Sequence, residues 1–313
     1  MRPSELLRSL ALAGLACALA LPAQAQPKLM DWPDLMGRPL PKATARIAYG
    51  PDPLQVAEVW RPDGKGPFPT VLMIHGGCWR SGVANLHIMD YAAEDLRRRG
   101  IAVWNIEYRG VDRPGGGYPG TFQDVSAAAD ALLAHGRDYG LATDKLVVLG
   151  HSAGGQLALW LTARPKLPAS SPLQDPKPLN IAWTVSLGGL PDLVTAKDGC
   201  GEATVARLLA GSARPDPLSD TSPAGLLPLG TPRMLIHGAL DETAPPAQGK
   251  AYVARARAAG DIRAWTYAIP GEGHVEEIAP GSKTWAAVTD GLQSVFHSKD
   301  GGWVMRNLAV SGP

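Results

Sequence analysis

The hydrophobic residues of this chain form short apolar runs that alternate with longer segments of helical periodicity. The runs TVLMIHGG at 70–77 and IAVWNIEY at 101–108 are mostly apolar and contain several β-branched residues. Such runs are typical of strands that are buried on both faces of a sheet. Between them, apolar residues recur at helical spacing over 85–99, and Gly100 follows. The pattern therefore predicts a strand, a helix and a second strand.

The same alternation continues through the rest of the chain. Two short alternating runs near its start, 44–49 and 56–60, are separated by the turn signal GPDP and predict a pair of strands. Further along, Thr121 and Asp124 resemble a capping box at the start of a helix. The remaining predicted strands are 145–150, 183–189, 233–238 and 262–271, and the remaining predicted helices are 121–135, 153–163, 247–259 and 282–297.

This order of elements predicts an α/β fold. Strand–helix alternation is typical of a mostly parallel central sheet with helices on both faces, and the first strand pair would add antiparallel strands at the N-terminal edge. We expect residues 26–313 to form a single domain. The segment 190–230 is longer than an ordinary connection and is a candidate for a small lid. The tail at 298–313 matches none of these patterns.

The first 25 residues have the composition of a cleaved export signal. Arg2 and Arg8 flank the start of the segment, the run LALAGLACALAL is apolar, and AQA at 23–25 has the small residues of a cleavage site. We therefore predict a signal peptide over 1–25 and a mature protein that is exported to the periplasm or secreted. No later stretch has the ~20 consecutive apolar residues that a membrane span needs.

Overall charge and motif content exclude several classes of function. The chain has 30 Lys and Arg against 29 Asp and Glu, without a basic stripe, so nothing indicates a nucleic-acid partner. No group of Cys, His and Asp has the spacing of a zinc site, and no glycine-rich loop matches a phosphate-binding motif. We therefore predict neither a metal nor a cofactor. The sequence does not indicate an oligomeric state.

The hexapeptide GHSAGG places Ser152 between a predicted strand and a predicted helix. In a chain with 36 glycines, the pattern G-x-S-x-G is weak evidence by itself. Its context matters more, because a sharp strand-to-helix turn lifts a serine hydroxyl out of the sheet. Gly150 and Gly154 would allow the backbones to approach closely at such a turn. Ser152 is therefore a candidate nucleophile.

Two further polar residues follow strands of the predicted sheet. Ser152, Asp241 and His274 occur in that order after three different strands, and ligands of open α/β sheets bind at the carboxyl ends of the strands. A serine nucleophile needs a base, and the base needs a carboxylate that orients it. We predict that His274 is the base and Asp241 the orienting acid. Asp192 and Glu242 are the competing candidates for the acid.

Backbone N–H groups near Ser152 would complete this site. A tetrahedral intermediate needs donors for its oxyanion, and Ala153 at the start of the helix supplies one. The loop that contains Gly77 and Cys78 follows a neighbouring strand and is predicted to supply the others. Trp79 either forms a wall of the acyl pocket or packs in the core, and His151 either lines the substrate pocket or is structural.

Taken together, the motifs HGGCW, EYRG, GHSAGG, HGALDETAPP and GEGH resemble those of α/β-hydrolases of the esterase and lipase type. The chain is similar to the hormone-sensitive-lipase-like, feruloyl-esterase-like and kynurenine-formamidase-like groups over about residues 44 to 297. In lipase-like members the oxyanion loop reads HGGG, which implies Gly77 and Cys78 as donors here. Cys78 departs from the last glycine but keeps a backbone N–H. The form HGG-x-W is closer to the formamidase-like pattern.

Two cysteines remain after removal of the predicted signal peptide, namely Cys78 and Cys200. An even number of cysteines in an exported chain permits a disulfide, although two unrelated buried thiols are the alternative. Both cysteines follow strands at the same edge of the predicted sheet. We therefore hypothesise a bridge that fastens the long segment 190–230 over the site.

Three functions are consistent with these observations. The first is a serine hydrolase that cleaves small carboxylic esters through a covalent acyl-enzyme on Ser152. The second is an amide hydrolase, either an arylformamidase or a peptidase of the prolyl-oligopeptidase kind, because the same triad serves both reactions. The third is a non-catalytic binding protein that has kept the hydrolase fold.

Overall fold

The computed structural model describes residues 27–174, 177, 179–298 and 301–304. Its centre is an eight-stranded sheet whose strands have the order β1-β2-β4-β3-β5-β6-β7-β8. The strands are β1 (Ala45–Ala48), β2 (Val56–Trp60), β3 (Phe68–Ile74), β4 (Ala102–Ile106), β5 (Leu141–His151), β6 (Ile181–Leu187), β7 (Arg233–Gly238) and β8 (Ala264–Ile269).

Strand directions confirm the predicted fold class. From β4 to β8 every neighbouring pair is parallel, whereas β2 is antiparallel to both β1 and β4. The antiparallel strands thus form the N-terminal edge of a mostly parallel sheet. Because parallel neighbours share one direction, the carboxyl ends of β3, β5, β6, β7 and β8 lie at the same edge.

Helices cover both faces of this sheet. Alternate residues of a strand point to opposite faces, and Leu72 of β3 packs in one apolar cluster whereas Val71 packs in another. The helices are α1 (Trp32–Met36), α2 (Asp90–Arg98), α3 (Gly120–His135), α4 (Ala153–Ala163), α5 (Leu193–Cys200), α6 (Glu202–Leu209), α7 (Leu218–Thr221), α8 (Pro246–Ala258) and α9 (Lys283–His297).

The start of α3 differs from the prediction. The N-cap is Pro119, and Thr121 forms no capping box, because its hydroxyl donates to the carbonyl of Arg109 at 2.6 Å. The carboxylate of Asp124 accepts from the guanidinium Nε of Arg109 at 2.8 Å. Partners from a distant loop therefore take both side chains that the capping box would use. A strong ion pair replaces a local backbone contact.

Three helices, α5, α6 and α7, occupy the long segment 190–230. Several of their apolar residues are buried in the same cluster as α3 and α4, and Leu193, Ala196 and Leu208 have almost no exposed surface. The segment is thus packed on the domain, and its role as a lid stays a prediction. Within the described ranges, no helix combines the length and apolar character that crossing a bilayer requires.

Both ends of the chain are described only in part. The predicted signal peptide at 1–25 lies outside the described residues, and its cleavage and the export of the protein stay predictions. Of the predicted tail at 298–313, residue 298 and residues 301–304 are described. There the carbonyl of Gly301 accepts from the indole N–H of Trp183 at 2.9 Å, and Trp303 packs against the ring of Trp183.

Candidate active site

Ser152 lies between the last residue of β5 and the first residue of α4. Its backbone has φ 55° and ψ −122°, a conformation that residues other than glycine rarely adopt. The glycines on either side of Ser152 are required because neighbouring backbone leaves no space for a Cβ at these two positions. A Cβ at Gly150 would overlap the carbonyl of Gly154, and a Cβ at Gly154 would overlap the carbonyls of Ile74 and His75. The turn is thus held by packing on both sides.

Asp241 and His274 form a short hydrogen bond at the same edge of the sheet. The Nδ1 of His274 lies 2.7 Å from Oδ2 of Asp241, and the other oxygen of Asp241 accepts the N–H groups of Thr243 and Ala244 at 2.8 and 2.9 Å. Burial acts to raise the pKa of Asp241, but the hydrogen bond and charge of His274 outweigh it and leave that pKa below its usual value. Asp241 is therefore ionised at neutral pH.

His274 is held next to the turn that carries Ser152. Its ring lies 4.4 Å from the ring of His151, the residue before Ser152, and the N–H of Ser152 donates to the carbonyl of Leu187 on β6. The structure thus places the three predicted triad residues after β5, β7 and β8, at the same edge of the sheet. Among the described residues, the Ser152 hydroxyl makes no hydrogen bond. In hydrolases without substrate, the hydrogen bond between the serine hydroxyl and the histidine is often long and shortens only in the complex.

The loop after β3 runs along the turn that carries Ser152. A Cβ at Gly76 would lie only 2.8 Å from Cβ of Ser152, so the loop and the turn touch there. The next residues, Gly77, Cys78 and Trp79, have φ values of 100°, 52° and 53°. In the described part of the chain, the N–H groups of Gly77, Cys78 and Ala153 have no hydrogen-bond acceptor. They are three backbone donors on the two segments that meet at Ser152.

Buried polar groups brace this loop. Nε2 of His75 lies 2.8 Å from Oε1 of Glu107, whose other oxygen accepts the N–H of Leu86. The hydroxyl of Tyr108 donates to the carbonyl of His75, and the two rings stack at 4.3 Å. Because Glu107 and Tyr108 follow β4, the neighbouring strand fixes the conformation of the loop.

A disulfide joins Cys78 of this loop to Cys200, the last residue of α5. The two Cα atoms are 5.4 Å apart, and 122 residues separate the cysteines along the chain. The bridge therefore connects the loop beside Ser152 to the segment 190–230. This is the pairing that the sequence analysis hypothesises.

The family of the chain follows from its match over residues 58–255 to the BD-FAE family model, which covers more than half of the chain. The chain belongs to the BD-FAE family. The predicted resemblance to hydrolases of the hormone-sensitive-lipase and feruloyl-esterase type is thereby confirmed.

Individual relatives of this BD-FAE protein are esterases by name. Esterase LipC of Mycobacterium tuberculosis is 28% identical over 254 residues, which are 76% of this chain and 61% of the relative. The chain thus spans about three-fifths of that curated relative. Among solved structures, a truncated carbohydrate esterase from gut microbiota has a TM-score of 0.67 at 20% identity and covers 80% of this chain and 96% of its own. Esterase B of Lactobacillus rhamnosis has a TM-score of 0.65 at 21% identity, with 78% and 81% covered. These structures show a shared fold.

The position of Trp79 decides between its two predicted roles, a wall of the acyl pocket and a core residue. Trp79 is fully buried, and its indole N–H donates to Oε1 of Gln156 on α4 at 3.0 Å. A side chain without accessible surface cannot contact a substrate, so Trp79 belongs to the core. It fastens the loop after β3 to α4.

His151 is also buried, and its contacts are with the protein. It is 1% exposed, and its Nε2 lies 3.0 Å from the carbonyl of His274. Burial and the neighbouring His274 lower the pKa of His151 to about 3, so the ring is neutral. A neutral ring that donates from Nε2 supports the backbone of His274, which is the structural alternative for this residue.

The two competing acids lie elsewhere. Asp192 caps α5 by accepting the N–H of Val194, and it pairs with Arg255 at 3.5 Å. Glu242 is exposed. Neither carboxylate contacts His274 in the described structure, whereas Asp241 does.

Two residues near the triad were not predicted from the sequence. Glu277 is fully buried, and its Oε2 lies 3.6 Å from Nδ1 of His274. Its spacing in HVEE, three residues after His274, was the available signal. Trp32 of α1 is 39% exposed and lies edge-on to His151 at 6.2 Å, so an apolar surface adjoins the site. No motif marks Trp32, because it precedes the recognisable region.

One group of side chains away from the triad has metal-ligating atoms. Glu58, His87 and Asp90 offer such atoms within 4.8 Å of one another. However, Nδ1 of His87 is already hydrogen-bonded to Asp90 at 2.7 Å. Burial raises the pKa of Asp90 to about 7. Glu58 pairs with Arg46 at 3.8 Å, so each of the three side chains has a partner within the described residues.

Proposed function

We propose that this chain is a serine hydrolase that cleaves carboxylic esters of small molecules through a covalent acyl-enzyme on Ser152. The observation that carries the proposal is the His274–Asp241 hydrogen bond of 2.7 Å at the strand edge where Ser152 forms its strained turn. The family and the names of its relatives support an ester as substrate. No metal or cofactor enters the proposed reaction.

In the first step, the Ser152 hydroxyl attacks the ester carbonyl carbon. His274 accepts the hydroxyl proton at Nε2, because its Nδ1–H is held by Asp241. Asp241 keeps its negative charge and stabilises the imidazolium that forms. The new C–O bond to Ser152 converts the carbonyl carbon to a tetrahedral centre, and the negative charge moves to the carbonyl oxygen.

The oxyanion is proposed to accept hydrogen bonds from the N–H groups of Gly77, Cys78 and Ala153. Ala153 begins α4, where the helix dipole also favours negative charge. Loss of one such donor typically raises the barrier by about 3–4 kcal/mol. The geometry of the loop after β3 is therefore expected to contribute to the rate in addition to the triad.

Collapse of the intermediate completes the cycle. The imidazolium of His274 donates its proton to the leaving alcohol as the ester C–O bond breaks, which leaves an acyl group on Ser152. Water then attacks the acyl carbon while His274 accepts its proton. As the second tetrahedral intermediate collapses, the bond between the acyl carbon and Oγ of Ser152 breaks, Oγ takes the proton from His274, and the carboxylic acid is released.

A substrate panel tests the reaction class. We expect hydrolysis of p-nitrophenyl acetate and butyrate with a kcat/KM at least about 100-fold above that for N-formylkynurenine or a prolyl anilide, since ester and amide leaving groups differ in the proton they need. Higher activity on formylkynurenine would assign a formamidase instead. Hydrolysis of none of these by correctly folded protein would favour the binding-protein alternative.

The disulfide is expected to control the rate as well as the stability. Cys78 has a positive φ in the proposed oxyanion loop, and the bridge to α5 helps to hold it there. We expect Cys200→Ser to lower kcat by about 10- to 100-fold, because one backbone donor loses its position. Loss of a cross-link over 122 residues also destabilises the fold, by roughly 2–5 kcal/mol. Steady-state kinetics and urea unfolding measure the two effects.

Reductant provides the matched control for this experiment. Dithiothreitol should lower the activity of the wild type to about that of Cys200→Ser, and it should leave the activity of the variant unchanged. A variant with the kcat of the wild type would show that the bridge does not position the loop.

A further inference from the structure

Glu277 is a buried carboxyl group that the proposed reaction does not use. It lies in the short helical turn Glu276–Ile278 that follows His274, and it has no exposed surface. Its Oε1 accepts the N–H of Gly238 at 2.8 Å. Its Oε2 lies 3.5 Å from Nε2 of His151 and 3.6 Å from Nδ1 of His274, but both of those N–H groups already donate elsewhere.

The fold leaves a space for this carboxyl beside the triad. Gly188, which follows β6, has φ 47°. A Cβ at Gly188 would overlap Oε2 of Glu277 and approach Nδ1 of His274 to 2.8 Å. A glycine is therefore needed where β6 passes the carboxyl. The position of Glu277 is set from three sides, by Gly188, by Gly238 and by its own helical turn.

Asp241 has one acceptor site that the described donors do not fill. An ionised carboxylate offers about four lone-pair sites. The N–H groups of Thr243 and Ala244 occupy two on Oδ1, and Nδ1–H of His274 occupies one on Oδ2. The carboxyl of Glu277 lies within 4.8 Å of that of Asp241. If Oε2 of Glu277 carries a proton, it can donate a hydrogen bond. Asp241 would then have a fourth donor.

We propose that Glu277 is protonated at neutral pH and acts as a positioning residue that donates a hydrogen bond from its carboxyl to Asp241. The proposal rests on the function proposed above. Burial and the negative charge of Asp241 both raise the pKa of Glu277 well above its ordinary value, which agrees with this assignment. Two carboxylates in contact cannot both be ionised readily, and a neutral Glu277 leaves the single charge on Asp241.

The titratable groups around Glu277 come from three elements. Asp241 and His237 belong to β7 and the loop that follows it, His151 ends β5, and His274 and Glu276 share the loop of Glu277. His151 is neutral, and burial lowers the pKa of His237, so neither adds a positive charge that would favour an ionised Glu277. The proton on Glu277 therefore affects His274 chiefly through Asp241.

Two variants test whether Glu277 acts as a hydrogen-bond donor: Glu277→Gln keeps a donor without a charge, and Glu277→Leu removes both. In Glu277→Gln, the amide oxygen can accept from Gly238 and the amide nitrogen can donate to Asp241. We expect this variant to keep kcat/KM within about threefold of the wild type. Glu277→Leu has a similar volume without a donor, and we expect kcat to fall about 10- to 100-fold with KM unchanged. Thermal unfolding of both variants monitors their folding.

The pH profile distinguishes a neutral Glu277 from an ionised one. The acid limb of kcat/KM reports the pKa of His274 in the free enzyme. If Glu277 is neutral, Glu277→Gln leaves the limb in place. If Glu277 is ionised, its removal shifts the limb to lower pH, because a negative neighbour that stabilised the imidazolium is lost. Such a shift, or a Gln variant as slow as the Leu variant, would contradict the proposal.

Infrared spectroscopy measures the proton without depending on catalysis. The difference spectrum between wild type and Glu277→Gln at neutral pH should contain the C=O band of a protonated carboxyl group. A carboxylate band in its place would overturn the proposal even if Ser152 proves to be the nucleophile. Conversely, a wild type that carries the protonated band but cannot be labelled on Ser152 would contradict the proposed function and leave the proton assignment standing.

Discussion

Ser152→Ala is expected to lower kcat for p-nitrophenyl acetate by at least about 10⁴-fold, because the variant has no atom that can form the acyl bond. The backbone donors proposed for the oxyanion remain, so some residual rate above that in water is expected. Ser152 is 3% exposed and its hydroxyl makes no hydrogen bond within the described residues, so removal of the hydroxyl is not expected to disturb its neighbours. The measurement is steady-state hydrolysis by purified variant and wild type.

Ser152→Gly is the matched control for the backbone of the turn. Because φ at this position is 55°, glycine relieves conformational strain that alanine retains. Both variants should be inactive, and the glycine variant should unfold at a temperature at least as high as the alanine variant. Activity above about one-hundredth of the wild type in either variant would exclude Ser152 as the nucleophile.

Asp241→Asn is expected to lower kcat/KM by about 10³- to 10⁴-fold. An amide at this position can present N–H to Nδ1 of His274, which favours the tautomer with its proton on Nε2. That tautomer cannot accept the proton of Ser152. The variant also loses the charge that stabilises the imidazolium. The amide oxygen can still accept from Thr243 and Ala244, so the loop is expected to keep its conformation.

Asp192→Asn and Glu242→Gln are the controls for this prediction. Asp192 caps α5 and Glu242 is exposed, so both variants should stay within about threefold of the wild type. If Asp192→Asn lost as much activity as Asp241→Asn, the acid would be misassigned. If Asp241→Asn kept more than one-tenth of the activity, another carboxyl would serve His274, and Glu277 is the nearest such group.

Much of the fold is predictable because buried strands are apolar for most of their length. Each predicted strand overlaps a strand of the structure, and the bounds of β2 and β7 agree at both ends. β5 extends back to Leu141, where the register to β3 shifts and polar residues interrupt the apolar pattern. The order of the strands across the sheet and the helices of 190–230 were not predictable, since both depend on long-range packing.

The geometry of the candidate site was predictable only where chain position determines it. Ser152, Asp241 and His274 follow strands, and parallel strands bring their carboxyl ends to one edge. Burial of individual side chains depends on tertiary contacts, which explains why the sequence left two roles open for Trp79 and did not mark Glu277. Because a glutamate is rarely fully buried, the sequence alone favours a solvent-exposed position for Glu277. In the structure, Glu277 is fully buried.

Labelling with a fluorophosphonate, followed by peptide mapping, tests whether Ser152 is an activated nucleophile. The reagent phosphonylates a serine only where a base activates it and donors stabilise the adduct. We expect one label per chain, on the peptide that contains Ser152, and no label on Ser152→Ala. A folded wild type that takes up no label, or a Ser152→Ala variant labelled as fully as the wild type, would show that Ser152 is not the nucleophile.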